Sequence, residues 1–337
     1  MRRRHEGVAL SGRQMRVHVR CGNDIEEKLR QAGIEGDYLA FTDPIWLGPT
    51  PPFGSRLSGR ARLVADRSGL PFDVVRREMG EAYWRLGRLT TRYNHIVLWF
   101  EHDLYDQACL VRVLAKLAAR PTLPRVELVC IDRFPGIARF IGLGQLSPKQ
   151  LASLWPQRKP VGRRQLALGA RAWTALQAAS PQPIEALRTA GLNALPFLAA
   201  ALGRHLQELP WTTDGLALTE RLILASLANG PCTAAALFVD AQARDPLPYM
   251  GDLFFWSIVR DLLAAPRPPI AIDGPTRRLA WPRRVIRLTA LGRALLEGRR
   301  DWQDEGPVVR CVGSIPVGAG AHPWRWDPGT GHTTTGH

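Results

Sequence analysis

The densest run of chemically able side chains is Glu101-His102-Asp103-Leu104-Tyr105-Asp106-Gln107. It follows a β-branched and aromatic stretch, His95-Ile96-Val97-Leu98-Trp99-Phe100, so it stands where a buried strand ends. Alternation along a strand points Glu101 and Asp103 the same way, and Asp103 and Gln107, four apart, share a face of the helix that follows. Two or three carboxylates at a strand's end can hold Mg2+ through oxygen ligands or divide acid and base duties, with His102 as base or ligand. Asp103 and Asp106 are also what the positive end of a helix dipole favours. The expected catalytic residues are Glu101, His102 and Asp103. The expected metal ligands are Glu101, Asp103 and Asp43, for Mg2+.

Three more apolar runs end in similar residues: Arg16-Val17-His18-Val19-Arg20 in Cys21-Gly22-Asn23-Asp24, Asp37-Tyr38-Leu39-Ala40-Phe41 in Thr42-Asp43-Pro44, and Val126-Glu127-Leu128-Val129-Cys130-Ile131 in Asp132-Arg133. If the strands lie parallel, these ends share one rim, and ligands of open α/β sheets bind beyond that rim. Gly22, Asp24, Asp43, Gln107 and Asp132 are accordingly the expected ligand-binding residues. Each acid also has a plainer reading. Asp24 can cap a helix over 25–31, with Glu27 completing a capping box; Asp43 before proline is turn chemistry; Asp132 can pair with Arg133.

The elements that would position these residues divide the chain. Residues 1–14 read as a disordered basic arm. Residues 15–145 read as an α/β ligand-binding domain, an open parallel sheet of about four strands with flanking helices. Within it, residues 44–52 form a Pro/Gly-rich loop carrying Trp46, expected to act as a site flap, and helices are expected over 59–68 and 72–86. Residues 146–215 read as a helical linker or cover. There Ser147-Pro148-Lys149-Gln150 sets an N-cap, a first-position proline and a capping-box Gln in order, and helices follow over 163–178, 183–190 and 194–209.

Residues 216–300 have a winged-helix layout, with helices over 219–228, 233–243 and 251–264 and strands over 269–273 and 285–288. A basic wing between the strands carries Arg277, Arg278, Arg283 and Arg284, which could touch nucleic-acid phosphate without reading sequence. The third helix, Asp252-Leu253-Phe254-Phe255-Trp256-Ser257-Ile258-Val259-Arg260-Asp261, is mostly apolar and sets two Asp against one Arg, which suits packing or a protein partner better than a DNA groove. Residues 301–337 read as an irregular tail.

The formal net charge of +15 would favour polyanionic partners, but only four of the 45 basic residues are lysines (Lys28, Lys116, Lys149, Lys159), a skew that fits a GC-rich coding sequence as well as a binding role. The five cysteines form neither a C-x-x-C pair nor a zinc-spaced cluster, so disulfides are not expected. The basic start lacks the apolar core of a signal peptide, and no apolar run approaches the ~20 residues that span a bilayer, so a cytoplasmic protein with no membrane partner is expected. Neither G-x-G-x-x-G, G-x-x-x-x-G-K-[ST] nor G-x-S-x-G occurs, which sets aside the usual dinucleotide, P-loop and acyl-transfer sites.

The runs Phe41-Thr42-Asp43-Pro44-Ile45-Trp46-Leu47-Gly48-Pro49, Val97-Leu98-Trp99-Phe100-Glu101-His102-Asp103-Leu104-Tyr105-Asp106-Gln107 and Ile141-Gly142-Leu143-Gly144-Gln145-Leu146-Ser147 resemble the bacterial domain-of-unknown-function 1835 family. The resemblance covers roughly residues 15–154, and residues 218–298 resemble the helical segment that often follows that domain. It implies no activity. Three functions therefore stand on the residues themselves: a protein binding a small phosphorylated or nucleotide-like ligand with a divalent metal, a metal-assisted hydrolase or transferase of phosphoesters or nucleotides, and a ligand-sensing DNA-binding regulator.

Overall fold

In a computed structural model that describes residues 15–51, 57–318 and 324–335, the N-terminal part is a five-stranded sheet between layers of helix. In chain order the elements are β1 (Arg16–Arg20), α1 (Glu26–Gln31), β2 (Asp37–Ala40), α2 (Ser58–Ser68), α3 (Phe72–Gly87), α4 (Leu89–Arg92), β3 (His95–Glu101), α5 (Leu104–Ala118), β4 (Arg125–Ile131), α6 (Pro148–Leu154) and β5 (Lys159–Pro160). The strand order is β2-β1-β3-β4-β5, and β1 to β4 are all parallel. Every residue of β3 is buried, as a central strand covered on both faces requires. The expected arm at 1–14 lies outside the described residues, as does the end of the Pro/Gly-rich loop.

α5 carries apolar residues on nearly all sides and is buried accordingly, between β3 on one flank and the helices that follow β5 on the other. Those helices are α7 (Arg163–Leu176), α8 (Gln182–Thr189) and α9 (Leu198–Leu206). Gly169 lets α7 come close, because a Cβ there would collide with Leu114 of α5. On the opposite face of the sheet, Ile25 and Leu29 meet Leu151 and Leu154 of α6 over Val97, Trp99 and Val129. The Ser147 cap forms as expected. Its hydroxyl accepts from the Gln150 amide at 3.3 Å, and the Gln150 side chain accepts from the Ser147 amide at 2.8 Å.

The next part comprises α10 (Leu218–Leu227), β6 (Cys232–Thr233), α11 (Ala234–Arg244), α12 (Asp252–Ala264), β7 (Ile270–Ile272), β8 (Val285–Leu288) and α13 (Ala290–Leu296). Its three strands form an antiparallel sheet in the order β6-β8-β7. It has its own core, built on Ile223, Leu237, Phe255, Val259 and Ile286.

Four expectations need correction. Asp24 does not cap α1: the N-cap residue is Ile25, with no side-chain cap, because the Asp24 carboxylate turns to a guanidinium instead. The helix expected over 194–209 starts only at Leu198, since Pro196 disfavours helical backbone just before it. The segment expected to be a helical linker or cover adds a fifth, edge strand, β5, antiparallel to β4, to a sheet expected to have about four parallel strands. The described part of the tail carries strands where an irregular segment was expected: β9 (Arg310–Val312) pairs with β10 (Ile315–Val317), and β11 (Trp324–Asp327) with β12 (His332–Thr335). Burial of Val312, Ile315, Val317 and Trp326 in the N-terminal core stabilises strands this short, and Leu47 bridges to Val312.

Candidate functional site

The connection from β1 runs to β2 on one side and that from β3 to β4 on the other, so the strand order reverses between β1 and β3. In open α/β sheets the crevice at such a reversal, beyond the strand ends, is where ligands bind. Here β1 ends in Arg20 and β3 in Glu101. Asp103 then caps α5, its carboxylate accepting the Asp106 amide at 2.9 Å, and the first turn of α5 swings Asp106 back, where it accepts the Glu101 amide at 3.0 Å. Glu101, Asp103 and Asp106 are all buried, and each can offer a carboxylate oxygen within 4.8 Å of the other two.

The Arg20 guanidinium, 3% exposed, lies among these acids. Its Nη1 donates to Asp106 at 2.5 Å, its Nη2 donates to Glu101 and, at 3.1 Å, to Asp24, and its Nε donates to Asp24 at 3.2 Å. Asp24 closes the outer edge of the cluster, with 39% of its side chain exposed. A roof is formed by residues 142–144. The Leu143 amide donates to Glu101 at 2.5 Å, and Lys28 Nζ donates to the Gly144 carbonyl at 2.5 Å. Both glycines are needed for this approach, since a Cβ at Gly142 would lie 2.6 Å from Glu101 Oε2 and one at Gly144 2.6 Å from Asp24 Oδ2. Arg139 ties the same loop to the end of α11, donating to the carbonyls of Ala243 at 2.9 Å and Gln242 at 2.6 Å.

Burial dominates the acids' titration. It pushes Glu101 up to about 8, with Asp106 adding repulsion and Arg20 opposing the shift. Asp103 is raised to about 8 by burial and by Glu101, and Asp106 to about 8 by burial against the pull of Arg20. One guanidinium faces four carboxylates here, and protons take up much of the surplus negative charge at neutral pH.

Other expected residues are placed elsewhere. Asp43 leaves the expected metal set: Oδ1 accepts Arg60 Nε at 2.9 Å and Nη2 at 2.7 Å, while Oδ2 accepts the Tyr83 hydroxyl at 2.5 Å. Arg60 also binds the carbonyls of Pro44 and Leu47, so this buried pair holds the Trp46 loop rather than an ion. Asp132 pairs with Arg133 at 3.1 Å. His102 stands outside the triad against Phe140 and Phe197, its buried Nδ1 without a hydrogen-bond partner and its basicity lowered by burial. Gln107 donates to the Glu101 carbonyl at 2.6 Å and fixes the turn from β3 into α5. Gly22, at φ 110°, has the left-handed backbone that favours glycine, and its carbonyl accepts the Tyr38 hydroxyl at 2.9 Å.

Arg277, Arg278 and Arg283 are exposed between β7 and β8, whereas Arg284 bonds the Leu279 carbonyl at 3.0 Å and lies over the Trp281 ring. Helix α12 is docked on α2: Arg67 pairs with Asp261 at 2.6 Å, Arg260 donates to the Arg67 carbonyl at 2.9 Å, and Phe254 packs on Val64 and its neighbours.

Sequence reasoning missed Arg20, the Gly142–Gly144 roof and the inclusion of Asp106 in the triad. Arg20 stood out in the sequence only as a charge closing the apolar run before Cys21, and its partners lie far along the chain. Asp106 was visible three residues from Asp103, on the same helical face.

No family model matches the chain, and no curated protein matches it. Among solved structures it is similar to the DNA-binding, cleavage and re-ligation domain of Plasmodium falciparum topoisomerase II, with 11% identity and a TM-score of 0.47. The match covers 99% of this chain but 57% of that one, so the chain spans little more than half of that structure's length. At this score the likeness bears on neither fold nor activity.

No helix among the described residues is long and apolar enough to cross a membrane.

Proposed function

We propose that the protein binds a divalent cation of the Mg2+ type through Glu101, Asp103 and Asp106, and through that ion a small phosphorylated or nucleotide-like ligand at the crevice beyond β1 and β3. The observation that carries this reading is the triad of carboxylate oxygens within 4.8 Å at the reversal of strand order. Mg2+ prefers six oxygens and keeps several waters, so three carboxylates leave positions for water and for ligand phosphate. The surplus of acids over Arg20 supports the same reading, because a cation can replace the protons that otherwise neutralise them. A metal-assisted hydrolase or transferase would draw on the same triad as ligands of the ion, which would supply an activated water.

The helix-strand-helix-helix-strand-strand order of residues 218–288 supports a winged-helix-like reading of that part. In that reading α12 would be the groove-reading helix, and its docking on α2 favours a module that packs on the α/β part over one that reads DNA. Nucleic-acid contact would then be confined to phosphate, through Arg277, Arg278 and Arg283. Membership of the domain-of-unknown-function 1835 family belongs to this proposal as well, resting on the three runs that resemble it.

The test is titration with Mn2+, followed by the loss of the free-ion magnetic resonance signal and by thermal unfolding. Wild type should bind one ion, more tightly as pH rises through about 8, because protons must leave. At about 100 times Kd the gain in stability should be about 2.7 kcal/mol, and Asp103→Asn should abolish it. An unchanged free-ion signal at pH 8.5 overturns the proposal. Phosphate release from a nucleotide, lost in Asp103→Asn, would select the enzyme over the binder.

A further inference from the structure

A second site stands apart from the acid cluster. Between the Trp46 loop, α2, α9, α12 and the β9–β10 hairpin lies a cavity of about 320 Å3. Its walls are mostly apolar and strongly aromatic. Trp46 meets Tyr249 edge to face at 5.1 Å and Phe254 at 5.4 Å, and Leu63, Met250 and Ile258 complete the lining. The volume is about twice that of the ~150 Å3 apolar cavity that accepts a benzene ring. It therefore suits two fused rings.

Charges in the wall are already matched in pairs. Arg67 Nη2 pairs with Asp261 at 2.6 Å while its buried Nε has no hydrogen-bond partner, Arg310 stands 3.8 Å from Glu220, and Glu208 accepts from Arg204 at 2.5 Å. Three further wall residues are buried, and a polar atom of each has no hydrogen-bond partner: Trp46 Nε1, Tyr249 Oη and His205 Nε2. The indole can only donate, and burial keeps the phenol protonated, so both lack an acceptor. Burying such groups unpaired is unfavourable, and a ligand that brings acceptors removes that penalty. Each atom is itself covered, so engagement involves a small rotation of the ring that bears it.

We propose that this cavity binds a small, uncharged, bicyclic aromatic molecule that carries hydrogen-bond acceptors but no ionised group, with Trp46 and Tyr249 as the recognising donors. The site does not depend on the metal reading, since it shares none of Glu101, Asp103 and Asp106. Both sites adjoin Tyr105, whose ring meets Trp46 at 6.3 Å one residue before Asp106.

The probe is quinoxaline, a neutral bicycle with two ring nitrogens, measured by calorimetry on the full chain beside 1-naphthoate, an anion of similar size. Quinoxaline should bind with a Kd of about 1 mM or tighter. Naphthoate should bind at least about tenfold more weakly, because its carboxylate would be buried against mostly apolar walls whose arginines already face acids. Tyr249→Phe should weaken quinoxaline about tenfold while leaving the ligand-free protein as stable as before, since the lost hydroxyl had no partner. Ile258→Phe, which fills the cavity, should abolish binding with the thermal transition retained. The proposal is overturned if quinoxaline does not bind, if naphthoate binds more tightly, or if both variants bind quinoxaline as wild type does.

Discussion

Arg20 and Arg204 are both sealed from solvent, 3% and 2% exposed, and both face carboxylates, yet their surroundings differ in stoichiometry. Arg204 has two acids, and each of its three nitrogens donates to a partner. Its Nε and Nη2 grip Asp245 at 3.1 and 2.8 Å, Nη1 meets Glu208 at 2.5 Å, and Nη2 reaches Thr219 at 3.0 Å. Asp245 spends its remaining capacity on the Leu247 amide. Such a network ties α9 to the end of α11 and leaves no place for another cation. Arg20 has three acids in contact and a fourth, Asp103, beside them, two of these contributed by the first turn of α5. The contrast teaches that a buried arginine by itself indicates structure, whereas an excess of acids around one indicates a place for a further cation.

Replacing each arginine by methionine would break the comparison most forcefully. Arg204→Met strands Asp245 and Glu208 in the core, and chemical denaturation should register a loss of about 3–5 kcal/mol. Arg20→Met strands acids that already hold protons near neutrality, so its loss should be smaller at pH 6 and should grow toward pH 9. Equal, pH-independent losses in the two variants would show that the surplus of acids has no consequence.

The wild-type pH dependence sharpens the same point. Glu101, Asp103 and Asp106 are raised to about 8 in the folded protein, above the ordinary carboxyl range they regain on unfolding. Between about pH 4 and pH 8 the folded state therefore holds more protons than the unfolded one, and stability falls as pH rises. Each extra proton contributes a slope of about 1.4 kcal/mol per pH unit, which vanishes once the folded carboxyls ionise as well. Denaturation midpoints should decline across that window, and Mg2+ should restore stability at its alkaline end. A midpoint that climbs steadily from pH 5 to pH 8 would contradict the burial argument.

The sheet was legible because its strands are short apolar runs between turn residues, a pattern that buried parallel strands share with few alternatives. Helices α2 and α3 and the Ser147 cap were legible for equally local reasons. Glu101 and Asp103 could be placed at the rim because strand alternation depends only on neighbours. Arg20 could not be assigned, since its partners Glu101 and Asp106 stand 81 and 86 residues away. The same holds for Asp43, whose partners Arg60 and Tyr83 come from the insertion that follows it. The tail hairpins were missed because strands of three or four residues form only where the rest of the molecule buries them, as it does Val312 and Trp326. The cavity draws its walls from five separated stretches, so no local pattern announces it.

The smallest effect separates the two networks by a single atom. Asp245→Asn removes a charge that Arg204 grips with two nitrogens, and should lower stability by about 2 kcal/mol at pH 8. Asp103→Asn removes a charge that burial and Glu101 oppose, while the amide oxygen still caps α5 by accepting from Asp106. At pH 8 it should leave the ion-free protein unchanged or more stable by about 1 kcal/mol, because asparagine relieves repulsion that a proton then relieves only in part. Urea titration of both variants at pH 8, without divalent ions, reads the difference. If Asp103→Asn destabilises as much as Asp245→Asn, Asp103 is a structural partner of Arg20, and the fourth carboxylate ceases to be a surplus.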